Sequence, residues 1–219
     1  MKSTLPKVMH GVGGRPMVDW SIALAEQVGC EKIIVVAHPS QSVLIDHISK
    51  TLGADALAYQ DPPQGTGHAV QCAEAALSGF SGDVVVLYGD SPMIPVSAIE
   101  DLFTVLAGGT AIGVLGFEAA NAGAYGRLIK TADGNLDAIV EAKEASAEQL
   151  AVTLCNSGVM AGSHADMFRL LADVTNDNAK GEYYLTDLVG LARKDGGICK
   201  VVECAEADLI GCDSRADLA

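Results

Sequence analysis

Six short stretches carry residue types suited to phosphate and sugar chemistry. Leu5-Pro6-Lys7 places a lysine, a point-charge partner for phosphate, in a loop stiffened by proline, with Arg15 eight residues on. Val84–Leu87 runs apolar and then stops at Tyr88-Gly89-Asp90. Ligands of open α/β sheets bind beyond the carboxyl ends of strands, and a carboxylate there suits Mg²⁺, which takes one or two carboxylates with phosphates and waters. Asp90 would serve equally to cap the turn that follows. Gln64-Gly65-Thr66-Gly67-His68 is a glycine-bearing loop entering a helix, where backbone N–H groups meet a phosphate or a base edge and Thr66 would cap the helix. His68, in the first turn, reads as structural. Glu141 and Asn156, each at an expected strand end, form a carboxylate–amide pair of the kind that hydrogen-bonds sugar hydroxyls, and Tyr183, Tyr184 and Thr186 add aromatic and hydroxyl groups. Each of these, taken singly, is also an ordinary surface polar residue. No Ser or Cys stands in a nucleophile elbow, and His10, His38, His47 and His164 lack metal-ligand spacing.

The elements that must position these residues follow from periodicity. Ile33–Ala37, 56–60, 83–90 and 111–117 read as strands; 16–29, 40–49, 67–78 and the stretch after Pro95 read as helices. Pro16 suits a first helical position and Gly29 a C-terminal stop. Runs buried on both faces, alternating with helices, predict a mostly parallel sheet covered on both sides. After Gly116 the pattern changes to a hairpin over 127–142 turning at Asp133-Gly134, a strand at 156–162, helices at 164–174 and 184–196, and a last strand at 198–204. With no repeats, low-complexity tracts or linkers, residues 1–219 are expected to form one α/β domain with a hairpin lid region.

Composition narrows the classes. A net charge of −14 repels nucleic acid and anionic membranes, so a phosphate ligand needs locally concentrated cations or a metal. Nearly half the residues are apolar, yet no run approaches the roughly 20 a membrane helix needs. The six cysteines never form Cys-x-x-Cys and read as reduced thiols of a cytoplasmic protein.

In order, the stretches LPKVMHGVGGRPM, QGTGHAV, LYGDSPMI, AYGRLIK, IVEAKEA, CNSGVMAG, NAKGEYYLTDL and LIGCDSRADL resemble the uridyltransferase domain of the bifunctional N-acetylglucosamine-1-phosphate uridyltransferase / glucosamine-1-phosphate acetyltransferase. The resemblance spans essentially the whole chain. It implies a Rossmann-like sugar nucleotidyltransferase fold and the Mg²⁺-dependent transfer of UMP from UTP to N-acetylglucosamine 1-phosphate. The products are pyrophosphate and UDP-N-acetylglucosamine, a precursor for peptidoglycan and lipopolysaccharide. By the same resemblance Lys7 binds the triphosphate, and Gln60, Gly65 and Thr66 read uracil and ribose. Tyr88 and Gly89 contact the nucleotide sugar, Gly126, Glu141 and Asn156 hold the N-acetylglucosamine moiety, and Thr186 adds a hydroxyl near it. Asp90 binds Mg²⁺ together with Asp213, which stands in Gly211-Cys212-Asp213 where the family usually has asparagine.

The family places a buried strand and a glycine-rich LAAGxGTRM loop ahead of the lysine motif. Residues 1–219 are therefore expected to lack half of the phosphate cradle and to turn over slowly. The trimer-forming acetyltransferase β-helix is likewise expected to be absent, leaving a monomer. Two other readings stay open: a UDP-sugar-binding module without turnover, and a nucleotidyltransferase for another sugar phosphate or nucleotide.

Overall fold

Ten strands and eight α-helices occur among the described residues, 3–212, of the computed structural model. A 3-10 turn over Lys7–Met9 leads into a two-residue hairpin, β1 (Gly11–Val12) and β2 (Arg15–Pro16). There follow α1 (Met17–Val28), β3 (Val35–Ala37), α2 (Ser42–Thr51), β4 (Leu57–Tyr59), α3 (Thr66–Ala73), β5 (Asp83–Val86) and α4 (Val96–Ala107). The second half runs β6 (Ile112–Glu118), β7 (Arg127–Lys130), β8 (Leu136–Val140), α5 (Ala147–Leu150), β9 (Leu154–Ser163), α6 (His164–Asp173), α7 (Asp187–Lys194), β10 (Cys199–Cys204) and α8 (Glu206–Leu209). Gly29 ends α1 as its sequence position suggests, with φ 83° and its N–H on the carbonyls of Ala25 and Glu26. Pro16 stands one residue before the helix, paired with Gly11, because its ψ of 145° is extended.

The helices cover both faces of a mixed sheet. In β6 nearly every residue is buried: Ile112 and Val114 join the cluster under α6 and α7, while Leu115 and Phe117 join the cluster under α4. That two-sided burial is what the unbroken apolar run encoded.

Strand direction is less parallel than the run pattern suggests. β10 pairs β6 and β3 pairs β4 in parallel, but β9 runs antiparallel to β5, β6 and β7. Periodicity reports which faces are buried and carries no information on direction. The hairpin β7–β8 turns where expected, with Gly134 at φ 83° and the Thr131 N–H on the Asn135 carbonyl at 2.8 Å.

β9 is the organising strand of the site. Its first half, at Cys155, pairs with β7; its second half, Met160 to Ser163, pairs with β5 on that same edge. Between the halves Gly158 takes φ 92°, and the β6 register shifts between Val114 and Gly116. β5 and β7 thus share one edge of β9, end to end, and their tips meet over residues 156–158.

The sheet is also divided. Among the described residues β3 pairs only with β4, and β5 pairs only with β9. Their opposite edges face a cavity of about 860 Å³ lined by Ile33, Val36, Val84 and Val86, with Ile22 of α1 and Val70 of α3 above and below.

Candidate active site

The site lies beyond the carboxyl end of β5. Here the 3-10 turn set by Pro6 brings Lys7 Nζ to 2.5 Å from Asp90 Oδ2. The Asp90 carboxylate is thus directed at a cation rather than capping its own turn, which closes instead through the Ser91 N–H and the Tyr88 carbonyl at 3.2 Å. Ser21 of α1 donates its hydroxyl to the same carbonyl at 3.0 Å, fixing the strand exit from the other side. The glycine at 89 is small for a packing reason. A β-carbon there would lie 3.1 Å from Val8 Cγ1, so its smallness admits the lysine-bearing turn.

Tyr88 joins the two ends of the site. Its ring lies over Gly158, where a β-carbon would stand 2.7 Å from Tyr88 Cε2, and its hydroxyl interacts with the Thr66 side chain. Burial pushes the phenol up, and the carboxylates of Asp90 and Glu141 push in the same direction.

On the far side of Tyr88, three of the expected sugar-binding residues converge. The Asn156 N–H donates to the Gly126 carbonyl at 2.9 Å. A β-carbon on Gly126 would lie 3.6 Å from Glu141 Oε1 and 3.7 Å from Asn156 Cβ, so the glycine keeps a gap between carboxylate and amide. Asn156 Oδ1 accepts from the Gly158 N–H at 2.9 Å, which turns its Nδ2 outward as the available donor. Burial pushes the Glu141 carboxyl up, opposed by Lys180 and reinforced by Glu144.

The glycine loop between β4 and α3 closes the other flank. The N-cap of α3 is Gly65, at φ 109°, and not Thr66; the Thr66 hydroxyl instead accepts from the Leu185 N–H at 3.0 Å. The loop is clasped by the Tyr183 segment. The Gly67 N–H bonds the Tyr183 carbonyl, and the Tyr183 N–H bonds the Gln64 carbonyl, both at 2.8 Å. Any side chain on Gly65 would meet the Tyr183 backbone at 2.5 Å. Gln60, at the end of β4, reaches over this loop with Nε2 2.8 Å from the Gly65 carbonyl.

Contacts thus link Lys7 to Asp90 at the end of Tyr88-Gly89-Asp90, Tyr88 to Thr66, Gln60 to Gly65, and Gly126 to Asn156 with Glu141 beside them. Thr186 precedes α7 and lines a second hollow of about 510 Å³ with Ile139 and Asp187. Arg15 is likewise engaged elsewhere, its guanidinium stacked 3.7 Å above the Trp20 ring. Asp213 lies outside the described residues. The chain leading to it does pass the site, because the Cys212 N–H bonds the Asp90 carbonyl at 2.9 Å. Gly158, Ser21 and the Tyr183 backbone were not anticipated. Only Gly158, inside a strand run, left a signal of its own.

A glycine-rich helix entry, a lysine–aspartate pair at a strand end and a carboxylate–amide pair across from them define an α/β nucleotidyltransferase. Residues 1–182 match the MobA-like NTP transferase domain family, and the chain belongs to it. It is 69% identical to the bifunctional protein GlmU of Hyphomonas neptunium and 49% identical to that of Maricaulis maris. All of this chain and 48% of each relative are covered. The chain thus spans about half the length of the curated relatives it matches. Among solved structures, a nucleoside-diphosphate-sugar pyrophosphorylase from Vibrio cholerae RC9 superposes with TM-score 0.71 at 15% identity, over 99% of this chain and 91% of the other. A UDP-glucose pyrophosphorylase solved with UDP-glucose gives 0.72 at 18%, over 91% and 83%. At those identities the likeness is one of fold.

Proposed function

We propose that the protein transfers UMP from UTP to N-acetylglucosamine 1-phosphate, releasing pyrophosphate and forming UDP-N-acetylglucosamine. The observation that carries this reading is the placement of Tyr88 between the Lys7–Asp90 pair and the Gly126–Glu141–Asn156 cluster. That layout has a phosphate end and a hydroxyl-binding end separated by one aromatic ring. The 69% identity to a GlmU protein across the whole chain supports the same choice.

In this reading the sugar phosphate oxygen attacks the α-phosphorus in line, and pyrophosphate leaves opposite. Such a displacement needs alignment and charge neutralisation more than covalent help. Gln60 and the Gly65 loop hold the base. Glu141 accepts from sugar hydroxyls, while Asn156 Nδ2 donates to the sugar, fixing the direction of attack. Lys7 exchanges its ion pair for the phosphates and balances charge on the departing pyrophosphate.

The donor set fits Mg²⁺. Asp90 is a part-exposed carboxylate that already attracts a cation, and Mg²⁺ requires only one or two carboxylates beside phosphates and waters. Among the described residues no cluster of three or more His, Cys, Asp or Glu could hold a metal. We assign its protein ligands as Asp90 and Asp213. When bound it would supply charge neutralisation at the phosphate oxygens. No helix among the described residues is long and apolar enough to cross a membrane. We place the protein in the cytoplasm on the pattern of its cysteines, which are spread along the sequence and never form Cys-x-x-Cys.

The test is pyrophosphate release from UTP, monitored by a coupled assay. Release that requires both N-acetylglucosamine 1-phosphate and Mg²⁺ supports the proposal, even when slow. Tight binding of UDP-N-acetylglucosamine without release would make the chain a binding module. Equal rates with CTP or with glucose 1-phosphate would make it a transferase of different specificity.

A further inference from the structure

Gln60 is held by two acceptors. Its Nε2 lies 2.8 Å from the Gly65 carbonyl oxygen and 3.1 Å from His68 Nδ1. The carbonyl cannot donate, so the amide nitrogen must face it, and an amide flipped to present Oε1 would set two oxygens against each other. With Nε2 so placed, its second hydrogen points to His68, and Nδ1 must accept it. A neutral imidazole that accepts at Nδ1 carries its proton on Nε2. That nitrogen faces Cys72 Sγ at 3.6 Å, one helical turn further along α3. Burial pushes the Cys72 thiol up, keeping it neutral. The Tyr183 ring stands 6.3 Å from the imidazole, tilted at 42°, on the clasping segment.

One consequence concerns the atoms left over. Gln60 Oε1 and the Gly65 N–H have no hydrogen-bond partner among the described residues. Five residues apart on one loop, they offer a base one acceptor and one donor. This pair complements an imide, an N–H beside a C=O, as in uracil; cytosine presents the reverse order at N3 and C4 and would face acceptor with acceptor.

We propose that His68 is a positioning residue for base selection: as a second acceptor for Gln60 Nε2, beside the Gly65 carbonyl, it steadies the amide with Oε1 outward, so that the loop takes uracil over cytosine. The proposal rests on the reading of Gln60 and Gly65 as the base site.

Calorimetric titration of the protein with UTP and with CTP tests it, using wild type, His68→Leu and His68→Asn. Wild type is expected to prefer UTP. His68→Leu should weaken UTP about tenfold, the worth of one ordering hydrogen bond, while leaving CTP unchanged. His68→Asn, whose amide oxygen can accept in place of Nδ1, should restore most of the preference. A His68→Leu protein that keeps the wild-type UTP:CTP ratio, or that loses both nucleotides equally, overturns the proposal while leaving the base site standing. Wild type that fails to bind UTP or to discriminate overturns the base-site reading and this inference with it. Independently of how the variants fold, ¹⁵N spectra of the wild-type imidazole should show the proton on Nε2; an Nδ1–H tautomer would refute the locking geometry.

Discussion

Lys7 and Asp90, 83 residues apart in sequence, form an ion pair with Nζ 2.5 Å from Oδ2, tying the opening turn to the exit of β5. Both side chains are partly open to solvent, at 33% and 24% exposure, so the pair contributes under about 1 kcal/mol to folding. On the proposed function its value lies in the site: a lysine held at the carboxylate assigned to the metal. Lys7→Met should change the melting temperature little and lower kcat by about 10² to 10³, the usual range for one lost electrostatic stabiliser. Asp90→Asn should be at least as damaging and should also raise the Mg²⁺ concentration giving half-maximal rate. Steady-state kinetics with thermal melts of the same samples separate the two effects.

Gly158→Ala should damage the site through the fold. The position has φ 92°, and an added β-carbon would stand 2.7 Å from the Tyr88 ring. Strain and overpacking together should cost about 1 to 3 kcal/mol. The ring must move, so binding of UDP-N-acetylglucosamine should weaken more than stability falls. Gly134→Ala is the control. Its φ is 83° but nothing lies within 4 Å of the new carbon, so it should show backbone strain with binding intact.

Glu141 predicts a pH signature. Burial raises its carboxyl above the ordinary 4.5. A folded-state pKa above the unfolded one means the native state holds the proton more tightly. This contribution to stability is full below about pH 4.5 and falls as pH rises through the folded value. Glu141→Gln should therefore melt higher than wild type at pH 7 to 8, with the difference shrinking towards pH 4.5. The same variant should bind the sugar nucleotide poorly. Wild type melting higher than Glu141→Gln at neutral pH would contradict the sign.

The divided sheet makes a prediction for amide exchange. Val84 to Val86 and Val35 to Ala37 belong to strands that are interior to most α/β domains, yet each has an edge on the 860 Å³ cavity. Cavity-facing amides of those segments should exchange quickly. Val114 and Met160, paired to each other in the centre of the large sheet, should exchange only on global unfolding. Uniform protection across β3, β5, β6 and β9 would mean that the edges close on each other in solution.

Thiol labelling checks the core. Burial pushes Cys199 up to about 11, and Cys155 is also buried and shifted upward. Native protein treated with iodoacetamide at pH 8 should be modified at Cys30, Cys72 or Cys204 and spared at Cys155 and Cys199. Labelling of Cys199 without denaturant would contradict its burial.

Local sequence was enough to read most of the elements and the chemistry available at their ends. The β-branched runs at Val35–Ala37 and Asp83–Val86, the α1 stop at Gly29 and the hairpin around Gly134 follow from local periodicity and backbone preference, which neighbours along the chain suffice to read. Ordered motifs singled out Lys7, Asp90, Glu141 and Asn156 while leaving each open to a structural reading. Tertiary structure decided which of them meet. β5 and β7 sharing one edge of β9 sets Tyr88 beside Gly158 and Gly126 beside Glu141 and Asn156, and strand direction of that kind is invisible to a period of two. It also decided what each glycine is for: Gly89 admits Val8, and Gly65 admits the Tyr183 backbone. Arg15 went to Trp20 and Thr186 to another hollow. Close approach between distant segments is a property of packing in three dimensions, so no local pattern can encode it.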